Sequence, residues 1–332
     1  MAKILCVPQR GIGDFVHTLP LIHSLRNAFK DCEIVIPVVD RRQEKDSRSL
    51  EKLCTGIVSF SYKPIDDDIE AKRISLYRGK DFPERYKLEA KERTQFEREM
   101  YEHYLNGAEY DLAIILRNFY IDTLSCPNQF SLRNIQKRNH DHVVDRNLRF
   151  AEILGIQKLF DFTLNKDKDE LLENHFGETI DLPLNYMVFI LGAGRLDKKW
   201  TEQGNKELAR FCESEGYIPV LIGSTEDYQM SKDIETESAV NLITSKGSLL
   251  DLENFCKIAL RAKAIIGPDT GLTHLSDAIG AKVIGLYGPT RPHKFAPYNN
   301  RRFVVSTNHT SKLMQDIKSK DVICKLEKIL EN

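Results

Sequence analysis

The chain has little net charge, no paired cysteines and no long apolar run, and each shortage removes a class of function. Its 48 basic residues face 49 acidic ones for a formal charge of −1. No global field therefore draws it to nucleic acid or to a strongly anionic surface. The seven cysteines (Cys6, Cys32, Cys54, Cys126, Cys212, Cys256, Cys324) are odd in number, scattered, and never in a C-x-x-C pair. They read as reduced, mostly buried thiols of a cytoplasmic protein, not as a disulfide framework or a zinc site. No apolar stretch approaches the ~18 residues of a membrane span. The first expected strand begins at residue 3, which leaves no room for a signal peptide. Membrane contact, where there is any, is expected to be peripheral.

What is present is a regular alternation of strand and helix patterns. Lys3–Val7, Ile34–Val39 and Leu112–Leu116 form one set of apolar strand runs. Val188–Leu191, Ile218–Ile222, Ala264–Ile266 and Val283–Tyr287 form a second. Helical periodicity falls between them, as in Phe15–Phe29, Glu202–Gly216 and Leu250–Ala262. Strands separated by helices predict an α/β chain of parallel sheets with flanking helices. At 332 residues there is length for two cores. The expected domains are 1–165 and 166–310, followed by a terminal helix over 311–332.

The most informative stretch is Gly267 to Pro289, where an apolar strand meets a turn and a helix opening with Asp269-Thr270-Gly271. Free N–H groups and the positive end of a helix dipole make such a turn an anion site. Gly271 lets a phosphate approach the backbone, and Asp269 or Thr270 can cap the helix or hold a sugar hydroxyl. The N-terminus repeats the plan with a glycine loop, Pro8 to Asp14, ahead of a helix. Asp14 then sits at a helix start beyond the first strand, as a ligand-facing acid or as a plain N-cap. Gly11-Ile12-Gly13 lacks the third glycine of G-x-G-x-x-G, and a carboxylate in the loop repels a pyrophosphate. A nicotinamide-enzyme reading is weak.

Gly11-Ile-Gly-Asp-Phe-Val-His-Thr-Leu-Pro20 resembles the first motif of the ADP-heptose:lipopolysaccharide heptosyltransferase family. Asp269-Thr-Gly-Leu-Thr-His274, continued by Gly288-Pro-Thr290, is similar to its last motif. Gly194-Arg-Leu-Asp-Lys-Lys-Trp200 and Leu221-Ile-Gly-Ser-Thr-Glu-Asp227 resemble two intermediate ones. Weaker echoes are Tyr110-Asp-Leu-Ala-Ile114 and His142-Val-Val-Asp-Arg-Asn-Leu148. The resemblance implies the GT-B fold, two Rossmann-like domains facing across a cleft, with the terminal helix crossing back toward the first domain. It also implies an inverting glycosyltransferase with a nucleotide-sugar donor and a glycan or lipid-linked glycan acceptor.

Under that resemblance the second domain holds the donor. Thr270, Gly271 and Leu272 cradle the distal phosphate, Asp269 holds sugar hydroxyls, and Glu226 takes the ribose, with Asp227 beside it. Gly194, Ser224 and His274 complete the donor set, although His274 also suits packing under the loop. Lys198 matches the family's phosphate lysine and neutralises the leaving group, with Lys199 a neighbouring rival. The first domain holds the acceptor: Asp14 is the general base, Gly11 and Gly13 clear room, Arg10 and His17 meet an acidic acceptor such as a Kdo carboxylate or are solvated side chains, and Arg117 is acceptor-binding. No cofactor or metal is expected. No D-x-D motif sits in a suitable loop, and a lysine with a helix dipole can do a metal's work.

Two departures keep the sugar and acceptor open. Leu191-Gly-Ala-Gly194 stands where family members carry threonine or serine, and Arg117-Asn-Phe-Tyr120 replaces small and amide residues. A nucleotide-sugar hydrolase or epimerase, and a binding relative without turnover, stay as alternatives. The segment 66–105 mixes charges of both signs around Phe96, Met100 and Tyr104. It reads as a solvated amphipathic helix, or as a place where Arg73, Arg78, Lys80 or Arg85 meets an acidic acceptor or anionic lipid.

Overall fold

The computed structural model describes residues 1–9, 11–38, 48–62, 90–136, 138, 141–164, 182–234, 236–248 and 250–331. Arg10, the triplet Asp66 to Asp68, and Arg73, Arg78, Lys80 and Arg85 lie outside the described residues. The chain divides into two compact units, Met1–Asn139 with Val144–Asp161 and His140–Val143 with Phe162–Asn332. The chain passes between the units three times, the last at Asp161 to Phe162.

The first unit is built on β1 (Ala2–Val7), β2 (Cys32–Val38), β3 (Ser59–Tyr62), β4 (Leu112–Ile115) and β5 (Gln129–Ser131). They pair in the order β3-β2-β1-β4-β5, every pairing parallel. Ile4 to Val7 and Leu112 to Ile115 are buried along their whole length, as central strands covered on both faces require. The helix Ala90–Tyr104 lays Phe96, Met100, Tyr101 and Tyr104 on Leu5, Val7, Ala113 and Ile115. Its apolar stripe is core, and its polar side carries an i,i+4 pair, Arg98 to Glu102 at 2.8 Å.

The helix expected over Phe15–Phe29 is two helices, Ile12–Val16 and Leu19–Ala28. Pro20 causes the break, because it has no N–H for the Val16 carbonyl and its ring crowds that oxygen. Thr18 closes the gap by donating its N–H to Phe15 O at 2.8 Å and its hydroxyl to Asp14 O at 2.8 Å.

The second unit carries β6 (Tyr186–Ile190), β7 (Ile218–Ile222), β8 (Val240–Asn241), β11 (Ile265–Pro268), β12 (Val283–Tyr287) and β13 (Val304–Ser306). Their order is β13-β12-β11-β6-β7-β8, again all parallel. A small antiparallel pair, β9 (Ile243–Thr244) with β10 (Gly247–Ser248), stands apart. Trp200 is buried in this core and donates from Nε1 to Ile317 O at 3.0 Å. The terminal helix is Ser319–Leu330, shorter than expected, and Val322, Leu326 and Ile329 join Trp200, Leu208 and Leu221 in the same core. Its apolar stripe at i, i+4 and i+7 is therefore met by the core of the second unit.

Both sheets reverse their winding beside the strand that opens them. In the first unit the reversal lies between β1 and β4, and in the second between β6 and β11. Loops at the carboxyl ends of those strands border the crevice where open α/β sheets hold ligands.

Candidate functional site

In the second unit the reversal brings together the loops after β6 and β11. Leu191 to Arg195 lead into a tight 3-10 turn, Leu196–Lys198. Its last residue reaches across the switch: Lys198 Nζ lies 2.7 Å from Asp269 Oδ2 and 3.3 Å from Asp269 O. The other carboxylate oxygen, Oδ1, is 2.9 Å from His274 Nε2. A carboxylate only accepts, so Nε2 carries the proton of that bond. Burial alone would raise the Asp269 carboxyl, but His274, by hydrogen bond and charge, and Lys198 hold it well below the ordinary range.

The turn itself is set by close packing. A Cβ on Gly267 would stand 2.7 Å from Thr273 Oγ1 and 3.0 Å from Ile190 Cβ, so β11 and the next helix approach only because a glycine is there. Thr273 spends its hydroxyl on Pro268 O at 2.7 Å. The helix Gly271–Ala278 starts from Thr270 in extended conformation, and no side chain caps it. No side-chain hydrogen bond engages its leading N–H groups, at Gly271 and Leu272, and the half-buried turn presents the positive end of the helix dipole. Neither Asp269 nor Thr270 takes the capping role that the sequence allowed.

The third loop of this edge follows β7. Ser224 opens the 3-10 turn Thr225–Asp227 with a reciprocal capping box. Its hydroxyl and N–H both donate to Asp227 Oδ2 at 2.8 Å, so Ser224, expected to bind donor, is occupied as a cap. Asp227 is buried and paired with Lys199, Nζ to Oδ1 2.6 Å. Lys199 and Asp227 are thus engaged with each other at 10 % and 0 % exposure, whereas Lys198 is 19 % exposed. Glu226 is exposed between them, and Gly194 is open on its approach side.

In the first unit the candidate acid is Asp14, half-buried in the first turn of Ile12–Val16. The N-cap position is Gly11, with φ +95, a backbone state that favours glycine. Asp14 is thus not the N-cap. Beside it lies a small apolar hollow of about 40 Å³ bounded by Pro8, Gly11, Ile12, Phe15, Val38 and Phe60.

Of the expected acceptor contacts, Arg117 is engaged within the first unit. Arg117, just past β4, gives Nη1 to Glu97 Oε2 at 3.0 Å and Nε to Pro8 O at 3.2 Å. It is 10 % exposed and Glu97 9 %, so this guanidinium ties the loop of Asp14 to the neighbouring strand and is not offered to solvent. His17 is buried, and its carbonyl accepts from Asn147 Nδ2 at 3.2 Å. Gly13 holds the end of the short helix through its carbonyl, 3.0 Å from His17 N.

Residues not assigned from the sequence also gather here. Arg146 and Asn147 end the short helix Val143–Asn147, and Arg146 Nη2 donates to Asn147 Oδ1 at 3.2 Å. Burial lowers the Arg146 guanidinium, and the Asp14 carboxylate opposes that shift. The stretch His142 to Leu148 carried the only sequence signal for this, as an echo without a role. Burial pushes the Cys6, Cys54 and Cys212 thiols up to about 12 and so keeps them protonated.

The profile of glycosyltransferase family 9 (heptosyltransferase) matches residues 127–325. Lipopolysaccharide core heptosyltransferase OpsX of Haemophilus influenzae is 25% identical over 182 residues, 53% of this chain and 51% of that protein. Lipopolysaccharide heptosyltransferase 1 of Escherichia coli is 29% identical over 168 residues, 49% of this chain and 50% of that protein. The chain thus spans about half the length of the curated relatives it matches. Among solved structures, E. coli heptosyltransferase WaaC with ADP superposes at TM-score 0.71 with 19% identity, covering 98% of this chain and 99% of that one. E. coli ADP-heptose lipopolysaccharide heptosyltransferase II gives 0.68 with 20% identity, covering 99% and 98%. These likenesses show the GT-B fold. With the profile covering more than half of its length, the chain belongs to glycosyltransferase family 9, the heptosyltransferase family.

Proposed function

We propose that the chain is an inverting glycosyltransferase that moves heptose from ADP-heptose to a hydroxyl of a lipopolysaccharide inner-core or related glycan. The observation that carries this reading is the uncapped N-terminus of Gly271–Ala278, set against Lys198 at the switch point of the second sheet. Family membership and the solved relative that holds ADP support the same donor class.

In this reading Gly271 and Leu272 N–H groups take the distal phosphate, and Lys198 meets the charge that grows on the diphosphate as the glycosidic bond breaks. Glu226, exposed on the adjoining turn, accepts from the ribose hydroxyls. Asp14 removes the proton from the acceptor hydroxyl as its oxygen attacks the anomeric carbon from the face opposite the leaving group. One displacement inverts the anomeric centre, without a covalent sugar on the protein. The reaction is placed in the cytoplasm, at the inner face of the membrane where a lipid-linked acceptor is presented. No described helix is long and apolar enough to cross a membrane.

Calorimetric titration with ADP, UDP, GDP and CMP tests the reading. ADP binding in clear preference to the others supports the heptose donor. Preference for another nucleotide keeps the transferase and changes its sugar, and binding of none of the four removes the donor assignment.

A further inference from the structure

Lys199 and Asp227 form an ion pair with side-chain exposures of 10 % and 0 %, Nζ to Oδ1 2.6 Å. The second oxygen of Asp227 accepts from the N–H and the hydroxyl of Ser224, both at 2.8 Å. Two glycine backbones close over the same oxygen. A Cβ on Gly192 would lie 2.6 Å from Asp227 Oδ2, and one on Gly223 2.8 Å. The loops after β6 and β7 have no side chain at the point where they meet around this carboxylate.

We propose that the Lys199–Asp227 pair is a positioning strut for the nucleotide site, fixing Lys198 and Glu226, the immediate neighbours of its two ends, without touching the ligand. The inference rests on the reading of this edge as a nucleotide-sugar site. Lys199 leaves the 3-10 turn in extended conformation, φ −71 and ψ 134. Lys199 turns inward to Asp227, while Lys198 reaches Asp269. Asp227 ends the turn whose middle residue is Glu226, so anchoring Asp227 orients that turn and leaves Glu226 exposed. Neither strut residue has an open face for a ligand, which separates its role from that of Lys198.

The test is calorimetric titration with ADP of the wild type, Lys199→Met, Asp227→Asn and the double variant Lys199→Met/Asp227→Asn. The double variant leaves no stranded charge in the interior and keeps the experiment decisive where a single variant folds poorly. Loss of positioning raises Kd about tenfold or more in all three variants with the binding stoichiometry still near one site. A merely structural role instead lowers the stoichiometry and leaves Kd at the wild-type value, which overturns the inference. Recovery of wild-type Kd in the double variant also overturns it, because the stranded charge and not the lost strut then explains the single variants. Failure of the wild type to bind ADP removes the nucleotide reading and the strut with it; wild-type binding with unchanged variants removes the strut alone.

Discussion

Arg117 Nε donates to Pro8 O at 3.2 Å, although 109 positions separate the two residues. The contact joins the loops after β4 and β1 across the reversal of the first sheet. Lys198 and Asp269 make the corresponding bridge in the second unit, between the loops after β6 and β11, over 71 positions. Each unit thus uses one cationic side chain to tie together the two loops that border its crevice. The first bridge is buried and structural, whereas the second is 19 % exposed on the lysine side and faces the turn with free N–H groups.

The Arg117 bridge predicts a split between the two substrates. Arg117→Ala strands the Glu97 carboxylate in a buried setting, which costs about 3 kcal/mol of stability. It also frees the loop carrying Asp14. Turnover is expected to fall at least tenfold while ADP affinity in the other unit stays unchanged. Arg117→Lys does not restore turnover, since one ammonium cannot reproduce the Nη1 and Nε contacts together. A parallel loss of ADP affinity would sink this account.

Lys198→Ala tests the leaving-group role. Removing one charge aimed at a developing oxyanion lowers kcat by about 10²- to 10³-fold. ADP binding should weaken as well, because the ground-state diphosphate already carries charge. Unchanged affinity and turnover would refute the phosphate assignment.

Trp200 is the single tryptophan of the chain, so its fluorescence reports on the second unit alone. A Cβ on Gly204 would lie 2.5 Å from Trp200 Cε2 and Cζ2, in a ring that has no room to withdraw. Gly204→Ala is expected to destabilise the second unit by about 1–3 kcal/mol in urea unfolding and to shift the native emission. An unaltered spectrum and midpoint would mean that the helix Glu202–Ser214 slides away from the ring without penalty.

The large features were legible in the sequence because they depend on local pattern. Apolar runs such as Val283–Tyr287, and the Gly-Pro-Asp-Thr-Gly turn, declare strand, turn and helix within a few residues. Short strands were not: Ser59–Tyr62 and Gln129–Ser131 are half polar and become strands only by pairing with β2 and β4. Side-chain partners are hidden for the same reason. The resemblance favours Lys198 over Lys199, but their different partners, Asp269 and Asp227, lie 71 and 28 positions away and no local pattern declares them. Arg117 looked available because its partner Glu97 lies on a helix whose charges seemed solvated.

Asp269 makes stability depend on pH in acid. Its native carboxyl is held below the ordinary value of 3.8 by His274 and Lys198 against the opposing effect of burial. A depressed native value contributes stability that is complete above the unfolded value and lost as pH falls toward the native one. Relative to Asp269→Asn, the wild type should therefore hold an advantage of about 2 kcal/mol that is constant above about pH 5 and shrinks below it. Urea unfolding followed by Trp200 at several pH values measures this gap. A gap that widens in acid would show that the pairs with Lys198 and His274 do not favour the ionised form.

Asp14→Asn isolates the proton-transfer step. Asparagine keeps the size of the side chain and the Thr18 hydroxyl bond, which goes to the backbone carbonyl of residue 14 and not to its carboxylate. The short helix and its Gly11 start are therefore retained, and the donor edge belongs to the other unit. What is lost is the acceptor of a proton. A positioned general base contributes about 10²- to 10⁴-fold, so kcat should fall by that factor with ADP affinity unchanged. Full transfer by Asp14→Asn, measured with saturating donor and a panel of glycan acceptors, would remove Asp14 as the base.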